Sequence, residues 1–452
     1  MIHQSAGSVR NTDSVDDLIY TAVFSEDAAA KAEARKQIHL RARRAGAVPA
    51  SISDLYQAIG RGEVTRKVTV PAFNIRALTY DVARALFRAA MRNGVGPFVF
   101  EIARSEIGYT EQRPGEYAAC VLAAALAEGY RGPVFLQGDH FQASAKKWAT
   151  PEGKASEIKA LESLIDEAIA AEFYNIDIDT STLVDLSFET RDEQQRENYL
   201  YTAHFTRYIR ARQPQGIRIS IGGEIGEVGK YNTQPDEVRA YIDGVKRELG
   251  GDAGMAKISV QTGTSHGGVP MADGSIAEAK IDFDVLRETT RICREEYGIA
   301  GAVQHGASTL PESVFNKFPE NDAVEIHLAT GFQNMILDAA SLPEEMKDQI
   351  RKFCFENCQD EKKSGETDEQ FVYKTRKKAI GPFKRRMWDL PTSAKQPIID
   401  SIEQKFEFLM EKLAVFQTKD LLQHINLTDL PEYAAASDEL TAAALVDPNE
   451  GE

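Results

Sequence analysis

The chain has 452 residues, 42% hydrophobic and 27% charged, which is ordinary globular composition. A formal net charge of −16 argues against nucleic acid or an anionic membrane as the main partner, and no run of about eighteen apolar residues reads as a membrane span. Cys120, Cys293, Cys354 and Cys358 are too scattered for a disulfide framework and the amino terminus lacks a secretory pattern, so a cytoplasmic address is expected.

Residues 1–65 read as a helical extension rich in Ala, Arg and Glu. Eight β-rich runs follow: "VTVPAFNI" (68–75), "PFVFEIA" (97–103), "PVFLQGDH" (133–140), "FYNIDIDTS" (173–181), "IRISIGGEIG" (217–226), "AKISVQTGTSHG" (256–267), "AGAVQHGAS" (300–308) and "AVEIHLATG" (323–331). Segments with helical periodicity, such as "YDVARALFRAAMRN", separate them. Strict alternation predicts an α/β fold with a parallel sheet, and eight units closing on themselves give a (β/α)8 TIM barrel over residues 66–342. An open doubly wound sheet is the alternative, but its glycine-rich turn after the first strand is missing.

Residues 343–430 read as a helical carboxyl-terminal extension, with a polar break at 359–370 expected to be an exposed loop. The stretch "IIDSIEQKFEFLMEKLAVFQ" (398–417) is amphipathic and is expected to pack on the barrel or on a partner subunit, which makes a homo-oligomer plausible. Residues 431–452 are acidic and are expected to fray.

In a barrel of this kind the site is built at the carboxyl ends of the strands. Three histidines fall there, His140, His266 and His305, and Glu224 closes the fifth strand. One such histidine is more often a satisfied structural residue. Three imidazoles and a carboxylate on strands brought together by closure suit a catalytic zinc ion. His327 on the last strand is a candidate for substrate contact, whereas His3, His39, His204 and His424 read as structural or solvated.

The small residues in "GTSHGG" (263–268) and "HGAS" (305–308) lie beside two of these positions. Their backbone N–H groups could cradle a phosphate, although tight-turn glycine is the plain alternative. A metal beside a phosphate cradle suits carbon-acid chemistry. Asp139 would move a proton on a carbonyl oxygen, and Asp179 and Ser181 would orient the ligands. For Asp177 a helix-capping or turn role is expected.

Taken together, these motifs resemble the class II, zinc-dependent fructose-bisphosphate aldolase family from about residue 65 to 422. "VPAFNI", "QGDHF", "IDTS", "GGEIG", "GTSHG", "QHGAS" and "EIHLATGFQ" occur in the family's order, followed by "IGPFKRRMWDLP" and a final helix. The resemblance implies His140, Glu224, His266 and His305 as ligands of one catalytic Zn2+, and Asp139 as the residue handling the aldehyde-oxygen proton. It further implies Gly267, Gly306, Ser308 and Thr330 at phosphate-binding positions, with Ser105 a possible addition, and a monovalent cation near Gly267 and Gly306.

The implied activity is that of a lyase of carbohydrate metabolism. It would reversibly cleave a phosphorylated ketose of the fructose 1,6-bisphosphate type to dihydroxyacetone phosphate and an aldehyde. Departures from the pattern keep a different ketose open, such as a tagatose bisphosphate or a monophosphate, or transfer to an acceptor. Gln137 stands where the family has histidine, and His327 and Ala329 stand where it has asparagine and aspartate. The mobile-loop glutamate has no clear counterpart among Glu227, Asp236 and Glu237. Arg385 or Arg386 could contact a phosphate. A non-catalytic barrel is the remaining reading.

Overall fold

The computed structural model describes residues 14–225, 231–264, 281–308, 310–427 and 433. Its strands are β1 (Ala47–Pro49), β2 (Val70–Asn74), β3 (Val99–Ala103), β4 (Gly132–Gln142) and β5 (Asn175–Asp179), then β6 (Ser220–Glu224), β7 (Lys257–Val260), β8 (Ala302–Gln304) and β9 (Glu325–Leu328). The neighbour order β4-β3-β2-β9-β8-β7-β6-β5 is closed by a β4–β5 pairing, and every pairing is parallel. β2 to β9 therefore form an eight-stranded (β/α)8 barrel. Short apolar runs can build it because each strand is covered on both faces, by the barrel interior and by the helical ring.

The amino-terminal segment is not purely helical as the sequence suggests. After helices Val15–Phe24 and Ala28–Ala45, Gly46 turns the chain at φ 92°, a value that favours glycine. β1 then adds itself to β4, with Ala47 opposite Gly132. Pro49, which cannot donate to a ladder, ends this three-residue edge strand.

One buried apolar cluster includes Leu18 and Ile38 of the first helices, the barrel, and Phe406 and Leu409 near the carboxyl end. The amphipathic stretch forms helix Thr392–Lys412 and packs on the barrel of its own chain. Phe406 lies 4.8 Å, centroid to centroid, from both Phe73 and Phe332. Arg88 and Arg92 of helix Thr79–Arg92 bind Glu403 at its rim. The polar break at 359–370 is largely exposed but begins with a 3-10 turn, Gln359–Glu361.

The barrel axis is polar. Lys257 of β7 donates to Gln137 of β4 at 2.8 Å, to Asp177 of β5 at 2.9 Å, and to Glu325 of β9. Glu325 also accepts from Tyr56, and Gln137 donates to Glu101 of β3 at 3.0 Å. Gly222 of β6 makes room for this layer, since a Cβ there would meet Asp177 Oδ1 at 2.2 Å. Asp177 is thus neither a cap nor a turn residue: it is a buried strand residue paired with an amine from across the barrel.

Candidate active site

The site is built where β4 ends. A regular strand would send Asp139 and His140 to opposite faces. Here the β4–β5 register shifts between Gly138 and Phe141, and His140 adopts φ 39°. A bulge re-aims a side chain in this way, at the cost of a conformation that L residues seldom adopt. Phe141 lies against Gly138, where a Cβ would meet its ring at 2.4 Å, so glycine permits the bulge. Asp139 and His140 both line the resulting cavity, together with Glu101, His305 and His327.

His140 is the hub. Its Nδ1 lies 3.0 Å from Asp179 Oδ2 and 3.0 Å from Glu224 Oε2. Its Nε2 lies 2.9 Å from His305 Nδ1, and His305 Nε2 lies 2.8 Å from Ser259 Oγ. Ser181 Oγ donates to Asp179 Oδ1 at 2.6 Å and fixes that carboxylate. His327 completes a row of rings, with centroids 4.3 Å apart for His140–His305 and 4.1 Å for His305–His327.

Negative charge exceeds positive here. Burial, with Asp179 nearby, pushes the Glu224 carboxyl up to about 7. Burial also pushes Asp179 up, but the His140, Ser181 and Gln142 hydrogen bonds outweigh it and hold that carboxyl below its ordinary value. For His140 burial disfavours the charged ring, yet Glu224 and Asp139 raise it well above an ordinary imidazole. The cluster calls for a positive charge, which a proton on His140 or a divalent ion can supply.

The donor chemistry fits such an ion. Asp139, His140 and His305 each offer a ligand atom within 4.8 Å of the others, and so do His140, Asp179 and Glu224. The expected ligands therefore meet in pairs through His140, with Glu224 and His305 on opposite ring nitrogens. His266 and Gly267 lie outside the described residues, as does Glu227.

Ser105, Gly306, Ser308 and Thr330 line the same cavity. Gly306 has φ 65°, and Gly331 passes so close to Ser308 that a Cβ would meet its carbonyl oxygen at 2.7 Å. Arg76 joins them, 6% exposed, with Nε donating to Glu106 at 2.7 Å and Nη1 to Gln333 at 3.0 Å. Arg385 is not part of this wall: it binds Tyr20 and the Phe24 carbonyl of the first helix. Arg386 stacks over Phe383. Asp236 and Glu237 belong to the first turn of helix Pro235–Glu248, where Glu237 accepts from the Gln234 backbone.

A family model described as fructose-bisphosphate aldolase class-II matches residues 61–409, more than three quarters of the chain. The chain belongs to the class II fructose-bisphosphate aldolase family. No curated protein matches it. Among solved structures it is similar to the fructuronate-tagaturonate epimerase UxaE of Cohnella laeviribosi, at 11% identity and TM-score 0.53, with 90% of each chain covered. It is also similar to a probable tagatose 6 phosphate kinase of Sinorhizobium meliloti, at 14% identity and TM-score 0.52, covering 79% of this chain and 98% of that one. A fructose-bisphosphate aldolase of Campylobacter jejuni aligns at 17% identity and TM-score 0.46, over 82% and 96%. At these identities the likeness is one of fold.

Within this family member, the structure gathers Asp139, His140, Asp179, Ser181, Glu224, His305 and His327 into one constellation. Sequence reasoning does not single out Arg76, Glu101, Lys257 or Glu325. Glu101, Lys257 and Glu325 are charges inside apolar strands, and Arg76 lies two residues beyond Asn74 at the end of β2.

Proposed function

We propose that the chain is a metal-dependent aldolase that reversibly cleaves a phosphorylated ketose. The observation that carries this reading is His140, held between Asp179 and Glu224 on one nitrogen and His305 on the other, with Asp139 beside it. His140 through Nε2 and His305 through Nδ1 would hold a divalent ion beside Asp139, zinc being the first choice for this imidazole-rich set, while Glu224 faces the other His140 nitrogen. When bound, such an ion polarises a ketone and stabilises the charge left when a carbon-bound proton departs.

Asp139 would move the proton on the aldehyde oxygen. Asp179 and Ser181 orient His140. Arg76, although paired with Glu106, would join Ser105, Ser308 and Thr330 in a wall of hydrogen-bond donors toward an anionic substituent. The family's usual phosphorylated sugars would meet that wall, and a cytoplasmic homo-oligomer is the expected setting. The altered last strand, with His327 and Ala329, favours a ketose other than fructose 1,6-bisphosphate.

A panel of ketose mono- and bisphosphates tests the reading. Cleavage of at least one, yielding dihydroxyacetone phosphate, is expected from the zinc-loaded chain. Absence of cleavage across the panel, together with no exchange of dihydroxyacetone phosphate protons with solvent, would sink it.

A further inference from the structure

We propose that a cavity at the amino-terminal end of the barrel binds a phosphomonoester. The cavity measures about 300 Å³, the lower end of the range that small-molecule sites occupy. Arg218 lines it just ahead of β6, Met255 and Ala256 just ahead of β7, and Ile299 ahead of β8. The His140 cluster lies at the other ends of these parallel strands. Arg218 and Glu224 are about 20 Å apart at the rise of an extended strand, so the two sites are separate.

Charge selects the ligand. Arg61, Arg210, Arg218 and Lys246 line the cavity, and Asp252 is the acid among the described lining residues. Arg61 is paired with Glu63 at 2.6 Å, and Arg218 with Asp252 at 3.2 Å. Arg210 instead donates to neutral acceptors, the Ile219 carbonyl at 2.7 Å and the Gly254 carbonyl at 3.1 Å. Lys246 rests over the Tyr297 ring, its Nζ 5.3 Å from the centroid. Among the described residues neither Arg210 nor Lys246 forms an ion pair. Two positive charges thus stay uncompensated in one concavity of a chain whose net charge is −16. Burial, with Arg218 nearby, pushes the Arg210 guanidinium down to about 10, so an anion beside it is favoured. A phosphomonoester carries about −1.5 to −2 at neutral pH and accepts hydrogen bonds from guanidinium forks. It matches both the charge and the donors.

Packing fixes the walls. The Gly254 N–H donates to Asp252 Oδ1 at 2.9 Å and ties the loop ahead of β7 to itself. Helix Ser53–Gly60 ends against the turn at Gly298, where a Cβ on Gly60 would meet the Gly298 carbonyl oxygen at 2.2 Å. Tyr297 Oη donates to Asp243 Oδ1 at 3.0 Å, which sets the plane of the ring. That ring offers an apolar face beside Lys246 for the organic part of an ester, which a free phosphate ion would leave bare.

The test reads this end of the barrel alone, so it stands apart from the substrate class argued above. The full chain is titrated with glycerol 3-phosphate, ribose 5-phosphate, adenosine monophosphate and inorganic phosphate, and amide hydrogen exchange is followed by mass spectrometry. At least one ester should protect residues 246–256 and 297–299, and at a lower concentration than inorganic phosphate does. Lys246→Glu and Arg218→Ala should each raise the concentration for half protection about tenfold or more, the usual worth of a charged hydrogen bond. Melting of each variant shows whether it folds, and either one alone decides the point. No protection at 246–256 with any of the esters, or protection there that survives both substitutions, would overturn the proposal. Inorganic phosphate acting at the same concentration as every ester would overturn the assignment to an ester.

Discussion

His140 Nε2 lies 3.9 Å from Asp139 Oδ1, although the two residues are consecutive on a strand that ought to point them apart. The bulge between Gly138 and Phe141 resolves the conflict by giving His140 a left-handed backbone. Strain of this kind persists only where the surroundings over-determine it, and here carboxylates hold one ring nitrogen and His305 the other.

In the proposed reaction Asp139 handles the proton on the aldehyde oxygen, not the carbon acid. Asp139→Asn should lower ketose cleavage by about 10²–10⁴-fold, the usual share of one acid–base group. The same variant should still exchange protons of dihydroxyacetone phosphate with deuterated solvent, read by NMR. Equal loss of both activities would remove Asp139 from the role.

Asp179 touches His140 at 3.0 Å and is itself fixed by Ser181. Asp179→Asn should weaken binding of the ion at His140 by about 10–100-fold, as removal of a supporting carboxylate commonly does. Competition with a fluorescent zinc chelator measures it. Unchanged affinity would mean that Asp179 does not orient the ligand.

Lys257 is 1% exposed and neutralises Asp177 and Glu325. Burial opposes its charge, but the two carboxylates outweigh that and keep the amine protonated. Lys257→Met removes the amine that neutralises both acids, leaving Glu325 its Tyr56 and Gln137 hydrogen bonds, and should cost about 3–5 kcal/mol in denaturant unfolding. A cost below about 1 kcal/mol would show that the layer readily neutralises itself by taking up protons.

Glu172 ties the first helices to the barrel through His39, 2.6 Å away, and Arg43. Burial pushes its carboxyl up, yet the contacts with His39 and Arg43 outweigh burial and hold it below the ordinary value. A depressed folded pKa means stability that is fully present above the unfolded value, about pH 4.3, and lost as pH falls through the folded one. The melting temperature of the native chain should therefore exceed that of Glu172→Gln at pH 6, with the gap closing below about pH 4. A gap that is constant with pH would contradict the linkage.

The barrel is legible in the sequence because eight apolar runs alternate with helical periodicity, and closure follows from their number. The rim residues are legible for the same reason, since His140, Glu224 and His305 all end runs. The axis is not legible. Glu101 and Lys257 are single charges in apolar strands, and only closure brings Lys257 to Asp177, 80 residues earlier in the chain. Reading Asp177 locally suggests a cap or turn; its partner lies across the barrel. Arg76 is hidden likewise, because its partners Glu106 and Gln333 come from other units of the fold.

In the proposed reaction the site needs a metal to cleave a carbon–carbon bond in a phosphorylated ketose. The most direct measurement is the cleavage rate of the responsive ketose by the chelator-stripped chain as Zn2+ is returned. No turnover is expected from the stripped chain, with recovery in proportion to bound zinc and His140→Ala failing to recover. Full turnover by the stripped chain would contradict it.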